Sequence, residues 1–218
     1  MSSYRRRSRR KSRRKSRRRG HAGKIPGPGP SKMILRTVNY KKKVDYTCKD
    51  LNCQKKLVYD ILKDFDFPTT ERNNVLRTGQ TGYEGFVLGV VNTRGLVGVG
   101  KMLSRKTQSP KYRELYLNTK KLMDMYIKKH DRKFKFTSIQ FNKSHRAAYH
   151  VDAKNVGESY IIGVGDYKGG ELIVYDRHGK NPKKKNIKNR FFKFNGSIYP
   201  HETAEFTGNR FTMVFYNV

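Results

Sequence analysis

The chain has 218 residues, enough for one domain with a buried core plus appendages. Fifty Lys/Arg against 17 Asp/Glu give a formal charge of +33, a field that favours nucleic acid or an anionic membrane surface and argues nothing about fold. No run approaches the roughly 18 apolar residues of a membrane helix, and the N-terminus lacks the apolar segment and cleavage site of a secretory signal, so the expectation is an intracellular protein, not a secreted one.

The charge is unevenly spread. Residues 1–32 hold 14 Lys/Arg and no acid, which leaves +19 on residues 33–218. Arg5 to Gly20 reads as the tetrads RRRS, RRKS, RRKS and RRRG. Such a segment has no apolar surface to bury and is expected to be disordered on its own. GKIPGPGP at 23–30 follows as a stiff spacer. The tetrads suit a nucleic-acid arm or a nuclear-import signal. Ser8, Ser12 and Ser16 each follow basic residues, so phosphorylation would weaken that arm. The expected division is a basic tail and linker over 1–32 and one domain over 33–218.

Leu51, Leu57, Val58, Ile61, Leu62 and Phe65 fall at helical spacing, and Pro68 stops that helix. Cys48 and Cys53 are read as two free thiols at its start, in a reduced compartment; without a second pair they make a poor zinc site. Residues 83–103, cut by glycines, predict a hairpin. Within them GLVGVGKM nearly spells a phosphate-binding loop, but Met102 stands where Ser or Thr is needed and no helix start follows until Ser109. Ser109-Pro110 predicts an N-cap and first-turn proline. Tyr112, Leu115, Tyr116, Thr119, Leu122, Met123, Tyr126 and Ile127 then form a packing stripe.

From Phe134 the pattern changes to seven or eight short β-rich runs parted by Gly, Asn, Asp and Pro. Strands after two helices predict an α+β fold: an antiparallel barrel or jelly roll with the helices packed outside. Residues i and i+2 of an extended segment share a face, so His150 and Asp152 project together and Val151 turns away. His201, placed near the end of a later strand, supplies a third ligand. Two histidines and one carboxylate suit a non-haem Fe(II) facial triad with open positions. Arg210 begins RFTMVFYNV, whose alternation sends Arg210 and Thr212 to one side. An inward arginine needs a carboxylate, which a metal-chelating dicarboxylate would provide.

His-x-Asp…His…Arg, set in KFTSIQFN…YHVDAKNVGESYIIGVGDYKGGELIVYD…KFNGSIYPHETAEFTGNRFTMVFY, resembles the Fe(II)/2-oxoglutarate dioxygenase superfamily. The resemblance covers residues 80–218, with the iron-site core in 134–218. It implies a double-stranded β-helix, metal ligands His150, Asp152 and His201, and Arg210 on the distal carboxylate of 2-oxoglutarate. Thr212 and Asn142 are further co-substrate candidates. His21, His130, His145 and His178 sit in polar, basic sequence and receive no role. HVDAKNVGESYIIGVGDYKGGEL is similar to the TET/JBP branch, which oxidises nucleobases, and the net charge agrees with it. HETAEFTGNR, with its short His-to-Arg gap, resembles prolyl and related protein hydroxylases. The expected partner is nucleic acid, with a protein substrate as the alternative and a non-catalytic nucleic-acid-packaging role as the third reading.

Overall fold

In the computed structural model, residues 48–95 and 98–218 are described; the basic tetrads, the spacer and the expected boundary after residue 32 lie outside them. Helix α1 (Leu51–Lys63) begins where the Asp50 carboxylate accepts the backbone N–H groups of Asn52 and Cys53, at 2.8 and 2.9 Å. It ends at Lys63, short of Phe65. Phe65 instead leaves the helix and packs among Phe67, Phe86 and Tyr112. Cys48 and Cys53 are not free thiols. The first turn of the helix brings their Cα atoms to 5.3 Å, and they form a disulfide.

A two-residue strand β1 (Thr69–Thr70) and a 3₁₀ turn (Asn73–Val75) lead into β2 (Tyr83–Gly95). With β3 (Gly98–Leu103), β2 makes the expected hairpin, paired from Val90↔Leu103 to Gly95↔Gly98. Of GLVGVGKM, Gly95 therefore ends β2 and residues 98–102 belong to β3. A helix start does precede Ser109: the Ser104 hydroxyl accepts the Thr107 N–H at 3.2 Å and caps the single turn α2 (Arg105–Gln108). Helix α3 (Pro110–His130) carries proline in its first turn as expected, but the Ser109 side chain makes no capping bond. Buried Gln54 ties the two long helices together, its amide donating to the Asn118 carbonyl at 3.0 Å.

Nine strands follow Phe134, more than the seven or eight expected. They are β4 (Ser138–Lys143), β5 (Val156–Val164), β6 (Tyr167–Gly169), β7 (Leu172–Val174), β8 (Lys183–Lys185), β9 (Phe192–Phe194), β10 (His201–Thr203), β11 (Phe206–Gly208) and β12 (Phe211–Asn217). The main sheet runs β1-β2-β4-β12-β5-β9, with β3 on β2. Smaller sheets run β10-β7-β8 and β11-β6, and every strand pair is antiparallel.

Alternation along β4 and β12 decides what lies where. Ile139, Phe141, Phe211, Met213 and Phe215 join Val58, Leu62, Leu115, Leu122 and Met123 in the core under the helices. Each such side chain contributes about 1.5–3 kcal/mol of burial. Gln140, Asn142, Thr212, Val214 and Tyr216, one position out of phase, line a pocket on the opposite face. A second cluster, Ile161, Leu172, Ile187 and Phe194, closes the space between the main sheet and β7. Among the described residues, no helix is long and apolar enough to cross a membrane.

Candidate metal centre

His150 lies outside any strand but makes an isolated antiparallel bridge to His201, the first residue of β10. Their backbones exchange hydrogen bonds, His150 N–H to the His201 carbonyl at 3.0 Å and the reverse at 2.9 Å. A directly opposed pair places both side chains on one face, and the two rings stand 4.3 Å apart. Placing His201 at the end of a strand was wrong, because the bridge to His150 is what starts β10. Asp152 follows on the same side, its N–H donating to the Gly196 carbonyl at 2.8 Å, while Val151 faces solvent.

Both imidazoles are oriented by backbone carbonyls two residues earlier. His150 Nδ1 lies 2.7 Å from the Ala148 oxygen, and His201 Nδ1 lies 3.0 Å from that of Tyr199. A carbonyl can only accept, so each Nδ1 carries the proton and each Nε2 keeps its lone pair for a metal. His150 Nε2 is 3.8 Å from Asp152 Oδ1 and His201 Nε2 is 3.7 Å from Oδ2. The three ligand atoms lie within 4.8 Å of one another. At Gly196 a Cβ would come to 3.2 Å from His201 Cε1 and 3.5 Å from Asp152 Oδ2, so the chain runs close behind the ligands.

The protonation states suit a cation. Burial, helped by His201, pulls His150 down to about 4, so it is neutral near pH 7. Burial pushes Asp152 up, but the adjoining His201 imidazole and the charge of Arg72 outweigh that and hold the carboxyl below its usual range. Arg72 reaches Asp152 from the turn after β1, its Nη2 paired with Oδ1. Two imidazole nitrogens and one carboxylate, preset on one face of a cavity, fit a divalent first-row metal.

Arg210 stands just before β12 and is 2% exposed. Its Nε donates to the Gly170 carbonyl at 3.2 Å and Nη1 to that of His145 at 3.4 Å. The rings of Phe206 and Tyr167 lie 5.3 and 5.7 Å from its guanidinium carbon. Gly170, at φ +71, makes room: a Cβ there would sit 2.8 Å from Arg210 Nε. Burial pulls the guanidinium down to about 10, still charged near neutrality. No carboxylate of the described residues comes within ion-pair distance of it. Asn142 and Thr212 face each other across β4 and β12, with Asn142 Nδ2 donating to Thr212 Oγ1 at 3.1 Å. All six predicted site residues line one pocket.

His145 corrects the sequence reading. Its surroundings are basic as read, but it is buried and not idle: it is 6% exposed, stacks on Tyr83 at 3.9 Å and lines the same pocket. Neither ring nitrogen has a hydrogen-bond partner among the described residues. His130 and His178 are exposed and away from the pocket; His21 is outside the described residues. Arg72, Arg77 and Tyr83 were also missed, and no local pattern marks them. Arg77 clamps the strand that bears His201, its Nη2 meeting Glu202 Oε2 at 2.8 Å and the Thr203 carbonyl at 3.2 Å.

No protein-family model and no curated protein matches the sequence. Solved structures match by fold. An oxidoreductase of the 2OG-Fe(II) oxygenase family from Burkholderia pseudomallei aligns over 74% of this chain and 76% of its own, with TM-score 0.50 and 15% identity. A prolyl-4-hydroxylase from Pseudomonas putida aligns over 77% and 87%, with TM-score 0.46 and 11% identity. NgTET1 in complex with 5mC DNA aligns over 61% and 60%, with TM-score 0.42 and 16% identity. The first of these shows that the antiparallel sheets of this α+β chain have the architecture of a 2OG-Fe(II) oxygenase.

Proposed function

We propose that the protein is an Fe(II)- and 2-oxoglutarate-dependent dioxygenase that hydroxylates a C–H bond of a nucleic-acid base. One observation carries the enzymatic reading. A metal-ready triad with both Nδ1 atoms tied to backbone carbonyls shares its pocket with a buried arginine that meets no carboxylate among the described residues. His150, Asp152 and His201 would hold iron. With dioxygen and 2-oxoglutarate, the iron supplies the oxidising power that converts C–H to C–OH, while 2-oxoglutarate leaves as succinate and carbon dioxide. Arg210 receives the distal carboxylate, where burial strengthens a bidentate pair. Asn142 and Thr212 offer the co-substrate polar groups already held in place. Ile161, Leu172, Phe194 and Val214 line the pocket with apolar surface and keep water out.

Incubation with Fe(II), ascorbate and 2-oxoglutarate is expected to release succinate. His150→Ala and Asp152→Ala should each lower that release by at least about 100-fold. Variants indistinguishable from wild type would return the chain to a packaging role. The nucleic-acid substrate rests on charge: residues 33–218 alone carry +19. The short His201-to-Arg210 segment favours a protein hydroxylase instead. Mass spectrometry of nucleosides and protein digests decides between them; hydroxyproline or hydroxylysine with unchanged bases would overturn the nucleobase reading.

A further inference from the structure

From Arg177 to Lys193 the chain carries eight Lys/Arg and no acid. Strand β8 lies within this stretch. A groove beside it is lined by Tyr175, Lys183, Lys185, Phe192 and Tyr199, together with Lys193, Glu158 and Asp176. Alternation aims Lys183 and Lys185 into the groove and Lys184 away from it. Their Cα atoms are about 7 Å apart, comparable to the spacing of successive phosphates along an extended single strand. None of the three lysines of β8 has a carboxylate at ion-pair distance among the described residues. The acids compete weakly. Asp176 is committed to its own loop, accepting His178 N–H and Lys180 N–H at 2.9 Å and Asn181 Nδ2 at 2.7 Å. Glu158 is exposed.

Aromatic surface is interleaved with the cations. Lys185 Nζ sits 5.5 Å from the centre of the Phe192 ring. Tyr199 is 37% exposed, and Tyr149, 50% exposed, stands edge-on to Tyr175 at 5.0 Å. The groove adjoins the metal site. Phe194 lines both, with its ring 5.0 Å from that of His201, and the Tyr199 carbonyl is what orients His201. Cations beside partly exposed aromatic rings are the chemistry that holds backbone phosphates and stacks bases.

We propose that this groove binds single-stranded nucleic acid and directs it to the metal centre, with Lys183 and Lys185 on phosphates and Tyr199 and Phe192 against bases. The proposal extends the nucleic-acid reading above and rests on it for the substrate, but the binding itself needs no iron.

The test uses the full chain and a fluorescent oligothymidylate, with anisotropy followed across a salt series. The Lys183→Ala/Lys185→Ala double variant should weaken binding and reduce the slope of log K against log salt by about 1.4, or about 0.7 per phosphate contact. Lys184→Ala, on the other face, should leave both nearly unchanged. Ultraviolet crosslinking should mark peptides containing Tyr199 or Phe192. A double variant with the wild-type slope, or crosslinks confined to the N-terminal tail, overturns the proposal. So does polyglutamate that displaces the oligonucleotide as well as unlabelled oligothymidylate does, since it has no bases to stack. Succinate release with no groove binding would leave the dioxygenase standing and remove the groove. Groove binding with no iron-dependent succinate release would do the reverse.

Discussion

A guanidinium that is 2% exposed and faces no carboxylate among the described residues costs the fold stability that the proposed co-substrate would offset. Arg210→Met keeps most of the volume and removes the charge, so the metal-free protein should melt at the wild-type temperature or above it. With Mn(II) in the site, 2-oxoglutarate should raise the melting temperature of wild type and fail to do so in the variant. Its affinity should fall about 10- to 100-fold, the worth of hydrogen bonds to a charged group. An undiminished thermal shift would release Arg210 from its role. His145 yields a second expectation. Burial first, then the charges of His150, Arg210, Arg72 and Arg77, pulls it down to about 4. In the unfolded chain it titrates near 6.5. Between those values the unfolded state binds the extra proton, so stability is full above about pH 6.5 and is lost as pH falls towards about 4. The slope contributed by this one group is at most about 1.4 kcal/mol per pH unit. Urea unfolding of the metal-free protein at several pH values should show the decline, and His145→Gln should make it shallower without abolishing it, because burial holds His150 at about 4 as well. His150 and Asp152 were legible as a pair because residues two apart in extended chain share a face, and His201 and Arg210 because each borders a short β-rich run. His145 and Arg72 were not, because burial and an ion pair 80 residues long in sequence are products of closure.

The strand β10 presents His201, and what holds it is mostly not on β10. Arg77, from the loop before β2, donates to Glu202 and Thr203 on one side and to the carbonyls of Arg146 and Ala147 on the other, at 3.3 and 3.4 Å. It thereby staples the strand of one histidine to the segment that leads into the other. Arg77→Ala leaves the Glu202 carboxylate, mostly buried, with Tyr175 as its remaining hydrogen-bond partner. Loss of a charged hydrogen bond predicts about 1.5–3 kcal/mol of destabilisation. Because the variant touches no metal ligand, a drop in Mn(II) affinity measured by calorimetry would show that the staple positions the triad. Arg77→Lys, which keeps the charge without the fork, should recover only part of it. Unchanged metal affinity in Arg77→Ala would confine the clamp to stability. At this scale the sequence was informative wherever an element's own period was long enough. The α3 stripe, the β2–β3 hairpin and the alternation of β12 all stand as read. The three-residue strands β6, β8 and β11 were miscounted because a period cannot be established over so few positions. The Cys48–Cys53 bridge was misread because composition suggested a compartment, whereas the start of α1 brings the two sulfurs together. A loop this short should contribute about 2 kcal/mol. Intact mass after alkylation with and without reductant shows whether the bridge is present, and melting under both conditions gives its worth.

Charge acts over the whole molecule, and it divides by location. The tail to residue 32 carries +14 and residues 33–218 carry +19, so two separate cationic regions can each release counterions on binding a polyanion. They should do different things. A tail without apolar surface can add phosphate contacts but cannot shape a site, whereas the residues proposed to hold the metal and 2-oxoglutarate all lie between Asn142 and Thr212 and line one pocket. Deleting residues 2–20, which contain the tetrads, should therefore weaken nucleic-acid binding most at low salt and flatten its salt dependence. Succinate formation from 2-oxoglutarate without any nucleic acid present should stay at the wild-type rate. If the truncated chain keeps the full salt slope, the tail makes no phosphate contact and the affinity resides in the body. If it loses uncoupled turnover as well, the tail reaches the site, and the separation of roles argued from charge alone is wrong. Anisotropy across a salt series, paired with succinate quantification on the same preparations, reads both halves of that expectation at once.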